Sequence, residues 1–244
     1  MQQDAINSFD SADTPSTGLF ITFEGGEGVG KSTQIKLLAA RLEAAGMEVL
    51  RLREPGGTSI GETIRGILLD PANTAIESVT ELLLYEAARS QLVGQIIKPA
   101  LARGVTVLCD RYTDSTLAYQ GVARGLGLEL VQRANNLGSL GLVPHRTIVL
   151  EHDLLSSLGR ATQNGADRLE AESLDFHTKV QQGFEQLAAN EPQRVRRVQS
   201  CAQKADTATA VFEQLVDLFP AVAELDFFIT EELLQNIKNR PSYE

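Results

Sequence analysis

The sequence lacks the features typical of disulfide-stabilised, membrane-spanning and nucleic-acid-coating proteins. It has two cysteines in 244 residues, and Cys109 falls in an apparent buried strand, so we expect no disulfide framework and a reducing, cytoplasmic setting. Lys and Arg number 22 against 32 for Asp and Glu, giving a formal net charge of −10. This charge argues against binding along a nucleic-acid polymer but is compatible with a single nucleotide as substrate. No apolar run approaches the roughly 20 residues that span a membrane.

Basic residues are also absent from the first 17 residues. Residues 1–17 contain Asp4, Asp10 and Asp13 but no Lys or Arg, which is the reverse of a signal or transit peptide. We therefore expect a disordered N-terminal extension there. A chain of this length with 43% apolar residues suits one well-filled domain, which we place at residues 18–219. We expect residues 220–244 to form a C-terminal tail with a short helix.

Helical and strand patterns alternate along the rest of the chain. This alternation predicts an α/β fold, with a five-stranded parallel sheet flanked by crossover helices. The apolar spacing from Leu82 to Ile97 and from Phe176 to Leu187 predicts two helices packed against the core. Ligands of such sheets bind beyond the carboxyl ends of the strands. The predicted strands are Leu19–Phe23, Glu48–Leu52, Val105–Cys109, Thr147–Leu150 and Arg194–Val198.

A phosphate-binding pattern, G-x-x-x-x-G-K-[ST], occupies Gly25–Ser32. It follows a predicted strand and leads into a predicted helix, so its backbone N–H groups and the positive end of the helix can cradle triphosphate oxygens. Lys31 would reach the β- and γ-phosphates, and the Ser32 hydroxyl would ligate Mg²⁺. The predicted ATP-binding residues are Gly25, Gly26, Glu27, Gly28, Val29, Gly30, Lys31, Ser32 and Thr33.

More charged residues follow the second and third predicted strands. Asp110 ends one of them, where a carboxylate beside a phosphate loop can contact Mg²⁺ directly or through water. The next residue, Arg111, can clamp a phosphate with its planar set of donors. Arg53 follows the second strand, and Arg65 lies on the helix after it. Taken alone, the Asp-Arg pair has a surface ion pair as its less favoured alternative. Each of the other two arginines, taken alone, is equally explained as a solvated surface residue.

Several blocks of the sequence together resemble the thymidylate kinase family. They are Arg-Glu-Pro-Gly-Gly-Thr at residues 53–58, the run from Thr80 to Arg89, Asp-Arg-Tyr at residues 110–112 with its extension to residue 125, and Asp-Arg-Leu-Glu at residues 167–170. The resemblance spans about Gly18 to Leu218. It implies a P-loop nucleoside-monophosphate kinase fold with a short lid at about residues 157–168. It also implies a homodimeric enzyme of dTTP biosynthesis that uses ATP and Mg²⁺ to convert dTMP to dTDP.

The resemblance also implies which residues bind dTMP. Tyr85 matches the aromatic residue that stacks on thymine, and Arg89 matches the donor to thymine O4. Without the resemblance, ordinary core packing is the better interpretation of Tyr85 and Tyr119. The full implied set, around the acceptor phosphate, the sugar and the base, is Glu27, Arg53, Arg65, Tyr85, Arg89, Arg111, Thr116, Tyr119 and Gln120.

Charge on the transferred phosphate has to be neutralised during catalysis. The family supplies extra cations from an Arg in the phosphate loop or from the lid, and the loop position here is Gly28. The resemblance therefore implies that lid residues Arg160 and Arg168 supply them, with the larger share from Arg168. Thr162, Gln163 and Asn164 stand where many relatives have Arg, which leaves the lid under-charged. The implied catalytic set is Lys31, Asp110, Arg111, Arg160 and Arg168.

Two other functions are compatible with the sequence. Another nucleoside-monophosphate kinase would keep the phosphate loop and the lid, but it should lack the Tyr85 and Arg89 pairing and the block at residues 115–120. A non-catalytic nucleotide-binding relative is favoured only by the altered lid. The complete set of phosphate-binding residues argues against it.

Overall fold

The structure is a computed structural model that describes residues 18–161 and 166–243. The predictions for residues 1–17 and for Thr162, Gln163 and Asn164 fall outside these ranges. Among the described helices, none has the length and apolar character needed to cross a membrane.

Five parallel strands form one sheet in the order β2-β3-β1-β4-β5. The central strand β1 is buried along its whole length, as expected for a parallel sheet covered on both faces. All five strand predictions are confirmed to within one residue at each end. The strands are β1 (Phe20–Glu24), β2 (Val49–Arg53), β3 (Thr106–Asp110), β4 (Arg146–Glu151) and β5 (Val195–Gln199).

Helices connect the strands and cover both faces of the sheet. Side chains that accept a backbone N–H begin several of the described helices. Thr58 accepts from Gly61 at the start of α2, Ser173 accepts from Phe176 at the start of α8, and Thr230 accepts from Leu233 at the start of α11. π-Helical segments extend α3 over Val93–Ile97 and α5 over Leu117–Ala123. The helices are α1 (Lys31–Ala44), α2 (Ser59–Leu69), α3 (Ser78–Leu92), α4 (Lys98–Ala102), α5 (Thr113–Thr116), α6 (Leu128–Gly138), α7 (Leu154–Ala161), α8 (Leu174–Asn190), α9 (Lys204–Glu213), α10 (Pro220–Ala223) and α11 (Glu231–Asn239).

Neighbouring residues of β1 point into different parts of the core. Ile21 packs with residues of α1 and α9, whereas Phe20 packs with residues of α3 and α4. The helix predicted from Leu82 to Ile97 is confirmed, but Leu83 within it is 60% exposed. The sheet is therefore closed on both faces, and the carboxyl ends of its strands are the edge left for ligands.

Candidate active site

The phosphate loop joins the end of β1 to the start of α1. Gly25 has φ 123°, and a Cβ there would lie 2.2 Å from the Leu150 carbonyl oxygen, so the close approach of β4 requires glycine. The Lys31 ammonium donates to the carbonyls of Gly26 at 2.7 Å and Gly25 at 3.3 Å. Burial, together with the nearby Arg111, lowers its pKa. Lys31 is therefore held inside the loop, where the pattern predicts contact with phosphates.

Arg111 stands at the centre of the site. Its φ of 69° is left-handed, which is uncommon for a residue other than glycine and is concentrated at functional sites. Its guanidinium donates to the Gly25 carbonyl and to the Ser115 hydroxyl, each at 3.0 Å, and forms an ion pair with Glu27. Burial disfavours the charged carboxylate of Glu27, but Arg111 and Lys31 hold its pKa below the usual range. An ionised carboxylate and two cations thus meet at the loop.

Asp110 ends β3 beside the phosphate loop, at the predicted metal position. Its Oδ1 atom is buried and has no hydrogen-bond partner among the described residues. A buried carboxylate oxygen without a donor is costly unless a cation or water approaches it. Ser32 and Asp110 line one cleft beside the phosphate loop. The described residues include no group of three or more His, Cys, Asp or Glu arranged to hold a metal.

An inner cleft of about 130 Å³, partly open to solvent, lies beside Arg111. Every predicted dTMP-binding residue lines it except Arg53, which forms an ion pair with Glu62 at 3.0 Å. Among the residues lining the inner cleft are Glu27, Arg65, Tyr85, Arg89, Arg111, Thr116, Tyr119 and Gln120.

A second cleft, here called the loop cleft, adjoins the phosphate loop. Arg53 lies in it, together with Lys31, Ser32 and Asp110. Glu27, Glu54, Arg65 and Arg111 line both clefts. The two clefts therefore meet at these four side chains.

Arg89 is buried on the wall of the inner cleft and is only 1% exposed. It donates to Glu54 at 2.8 Å, Glu86 at 2.5 Å, Asn135 at 2.9 Å and Thr116 at 2.8 Å. A guanidinium has five N–H donors, so these four bonds leave one for a ligand. Burial raises the pKa of Glu54 to about 7, against the effect of Arg89. Sequence reasoning missed the support from Glu86 and Asn135. The three-residue spacing of Glu86 and Arg89 on α3 could have indicated the first contact, whereas nothing in the spacing pairs Asn135 with Arg89.

Gln120 and Arg168 meet at the buried carboxylate of Glu81. Gln120 donates to Glu81 at 2.7 Å, and Arg168 approaches the other carboxylate oxygen at 2.7 Å. Arg168 also donates to the Leu68 carbonyl at 2.7 Å. Arg168, expected from the sequence to face the phosphates from the lid, thus contacts Glu81 and Leu68, and it is not among the residues that line the loop cleft. Glu81 was not among the predicted site residues, although it stands inside the matched block.

Helix α7, which overlaps the start of the predicted lid, packs directly on the phosphate loop. A Cβ at Gly28 would come within 2.1 Å of the Ser157 carbonyl oxygen, so no side chain fits at this loop position while α7 lies there. Arg160 donates to the Gly28 carbonyl at 3.1 Å. The structure therefore brings Arg160 to the loop, and this close packing explains why the loop itself has glycine instead of a cation.

Comparisons with known proteins find one family. Residues 23–210 match the model of a family described as thymidylate kinase. The chain is 46% identical to the thymidylate kinase of Trichlorobacter lovleyi over 81% of this chain and 97% of that one, and 53% identical to the thymidylate kinase of Deinococcus radiodurans over 73% and 87%. A crystal structure of thymidylate kinase from Ehrlichia chaffeensis aligns with TM-score 0.66 and 32% identity, covering 83% of this chain and 98% of that one. The family match ends at residue 210, so α10, α11 and the residues after them lie beyond it.

Proposed function

The chain belongs to the thymidylate kinase family and phosphorylates dTMP with ATP, and we propose that the inner cleft holds dTMP while the loop cleft holds the phosphates of ATP. The observation that carries this assignment is that Glu27, Glu54, Arg65 and Arg111 line both clefts. A phosphate bound at the mouth of one cleft faces a phosphate bound in the other. An oxygen of dTMP attacks the γ-phosphorus, the bond to ADP breaks, and dTDP forms without a covalent intermediate on the protein.

On the donor side, the backbone of residues 25–33 and the Lys31 ammonium would bind the triphosphate. We propose that Asp110 and Ser32 hold Mg²⁺, which when bound neutralises charge on the β- and γ-phosphates. Arg160, already at the Gly28 carbonyl, needs only a short movement to reach a phosphate seated in the loop. Fixed cations aimed at the transferred group are the main source of catalysis in this chemistry.

On the acceptor side, we propose that Arg53, Arg65 and Arg111 fix the dTMP phosphate for in-line attack. The half-buried ring of Tyr85 lines the cleft and would stack on thymine. The one N–H of Arg89 that its four partners leave unused would bind thymine O4. A site whose donors are already held by buried partners loses little entropy when the substrate binds.

An ADP-release assay with ATP, Mg²⁺ and a panel of nucleoside monophosphates tests this assignment. We expect the highest kcat/KM with dTMP, a lower value with dUMP, and little turnover of dCMP, dGMP or AMP. Loss of the thymine methyl contact should cost about 1–3 kcal/mol with dUMP. Equal turnover of AMP would show that the inner cleft is not a thymidylate site.

We also propose that the enzyme is a homodimer packed through α2, α3 and α6. These helices lie side by side and expose large apolar residues, as protein interaction surfaces do. Leu83→Glu should give a monomer by sedimentation velocity, and Leu174→Glu, a change at an exposed leucine on α8, should not. Equal masses for both variants would refute this interface. The exposed residues are Ile60, Ile67, Val79, Leu83, Leu130 and Leu137.

The cysteines fit a reducing compartment. Cys109 is buried in β3, Cys201 is exposed, and both are free thiols. We propose that the enzyme works in the cytoplasm, where thiols stay reduced.

A further inference from the structure

The C-terminal segment beyond the family match returns to the active site. Helix α11 begins with Thr230 accepting from the Leu233 N–H, and it is anchored by Ile237, which is 3% exposed. The chain then runs on across α1 and β2 towards the carboxyl ends of the strands. A tail that merely extended into solvent would have no buried anchor of this kind.

Residues 240–243, here called the strap, are held by contacts from α1 and β2. Lys36 donates to the Arg240 carbonyl at 2.8 Å, and Arg51 donates to the Pro241 carbonyl at 3.0 Å. The Arg240 guanidinium pairs with Glu43 at 2.9 Å. The Arg240 to Glu43 pair is partly exposed, and pairs of that kind are weak. The strap is thus placed at a defined position by two side-chain donors and one weak ion pair.

The strap ends in the loop cleft. The Tyr243 hydroxyl donates to Asp110 Oδ2 at 2.5 Å, and the Tyr243 ring lies 5.5 Å from the Arg53 guanidinium. Tyr243 lines the same cleft as Lys31 and Ser32. Its hydroxyl therefore occupies one oxygen of the carboxylate assigned to Mg²⁺, and its ring takes up space beside the arginine assigned to the acceptor phosphate.

We propose that the strap is an autoinhibitory element that competes with Mg·ATP for the loop cleft. In the closed arrangement Tyr243 occupies Asp110, and nucleotide binding requires that Tyr243 leave. This inference rests on the proposed function, because it needs the loop cleft to be the donor-phosphate site. The intact chain therefore binds Mg·ATP more weakly than the same domain without its strap.

Titration calorimetry with Mg·ATP, in the absence of dTMP, measures this competition. A chain ending at Asn239 and the full-length Tyr243→Ala variant should each bind Mg·ATP about three- to tenfold more tightly than the intact chain. Tyr243→Phe keeps the ring but loses the donor to Asp110. Its affinity for Mg·ATP should lie between that of the intact chain and that of Tyr243→Ala. Unchanged or weaker binding in both the shortened chain and Tyr243→Ala would overturn the proposal.

Tryptophan fluorescence can report the departure of residue 243 from the loop cleft. The chain has no tryptophan of its own, so an introduced tryptophan is the only one that emits. Tyr243→Trp places a single tryptophan in the loop cleft, and saturating Mg·ATP should shift its emission to the red as the ring enters water. Phe228→Trp is the matched control, since Phe228 lies on the same tail and is 75% exposed. It should show no shift. If the Tyr243→Trp variant binds Mg·ATP and its emission does not shift, the strap stays in place and the proposal is refuted.

The two proposals fail in different ways. If the shortened chain and the intact chain bind Mg·ATP equally and both phosphorylate dTMP, the strap proposal is wrong and the proposed function stands. If neither chain binds Mg·ATP, the assignment of the loop cleft is wrong, and the strap proposal falls with it.

Discussion

The inner cleft and the loop cleft hold their charged side chains in different ways. In the inner cleft, Arg89 is 1% exposed and bonded to four side chains, two of them carboxylates. At the loop cleft, Lys31 donates to two carbonyls of its own loop, and the exposed Arg160 donates to one loop carbonyl. Buried partners fix a side chain before any ligand arrives, whereas loop carbonyls can be exchanged for phosphate oxygens. The comparison teaches that the inner cleft, which we propose binds dTMP, is built in advance, whereas the loop cleft, which we propose binds ATP, keeps contacts that a nucleotide can replace.

Removing the central cation of the loop cleft should have the largest effect on activity. We expect Lys31→Ala to lose at least about a thousandfold in kcat, because the β- and γ-phosphates lose their charged contact. Lys179→Ala is the control, since Lys179 is an exposed residue on α8 paired with Asp175. Its kcat should match the unmodified enzyme. Both rates come from the ADP-release assay, and near-normal turnover of Lys31→Ala would refute the loop assignment.

Removing the central cation of the inner cleft should act on stability. Arg89→Met leaves Glu54 and Glu86 buried without their cation, which we expect to lower the free energy of unfolding by about 3–5 kcal/mol. Arg133→Met removes a mostly exposed Arg paired with Glu129. This control should change the free energy of unfolding by less than about 1 kcal/mol. Urea denaturation measures both. Similar midpoints for the two variants would contradict the idea that the inner cleft is built in advance.

Substitution of the two lid arginines, Arg160 and Arg168, distinguishes the role of the loop cleft from that of the inner cleft. Sequence alone predicts the larger catalytic loss for Arg168, but the structure places Arg160 at the loop and Arg168 at Glu81. We therefore expect Arg160→Ala to lower kcat about a hundredfold, or about 2.7 kcal/mol, with little change in the KM for dTMP. Arg168→Ala should mainly raise that KM. A larger kcat loss for Arg168→Ala would show that Arg168 leaves Glu81 during turnover.

The smallest expected effect is on the pH dependence of stability, which depends in part on the buried carboxylate of Glu24. Glu24 accepts from the backbone of Tyr112 and from the Ser115 side chain, and burial together with Asp114 raises its pKa from 4.5 to about 8. Between these two values the folded protein keeps a proton that the unfolded chain has released, so stability falls as pH rises through this window.

Glu24→Gln should remove this part of the pH dependence. We expect the loss of stability between pH 6 and pH 7 to shrink by at most about 1.4 kcal/mol in the variant. Glu54, with a pKa of about 7, contributes a similar dependence that the variant keeps. Urea denaturation at both pH values measures the difference, and an unchanged pH dependence would show that Glu24 is ionised in the folded protein.

Local sequence patterns were sufficient for the strands and the phosphate loop. The inner strands β1, β3 and β4 are buried over most of their length and contain apolar runs. All five strands could be located to within one residue at each end. The phosphate loop needs glycines and the Lys-Ser pair at fixed spacing, because the chemistry and the backbone turn both depend on neighbouring residues. These features are readable because each is completed within about ten residues.

Contacts between distant residues were decided only by the tertiary structure. The sequence indicated that Arg89 and Arg168 matter, but not that Asn135 contacts the first and Glu81 the second. Nor did any pattern predict that the last residues of the chain would meet Asp110, which is 133 residues away from Tyr243 in sequence. Such contacts produce no periodic pattern in the sequence, because they depend on which strands and helices become neighbours. The sequence by itself determined the chemistry at each strand end, and the folding of the chain decided which of those groups face one another.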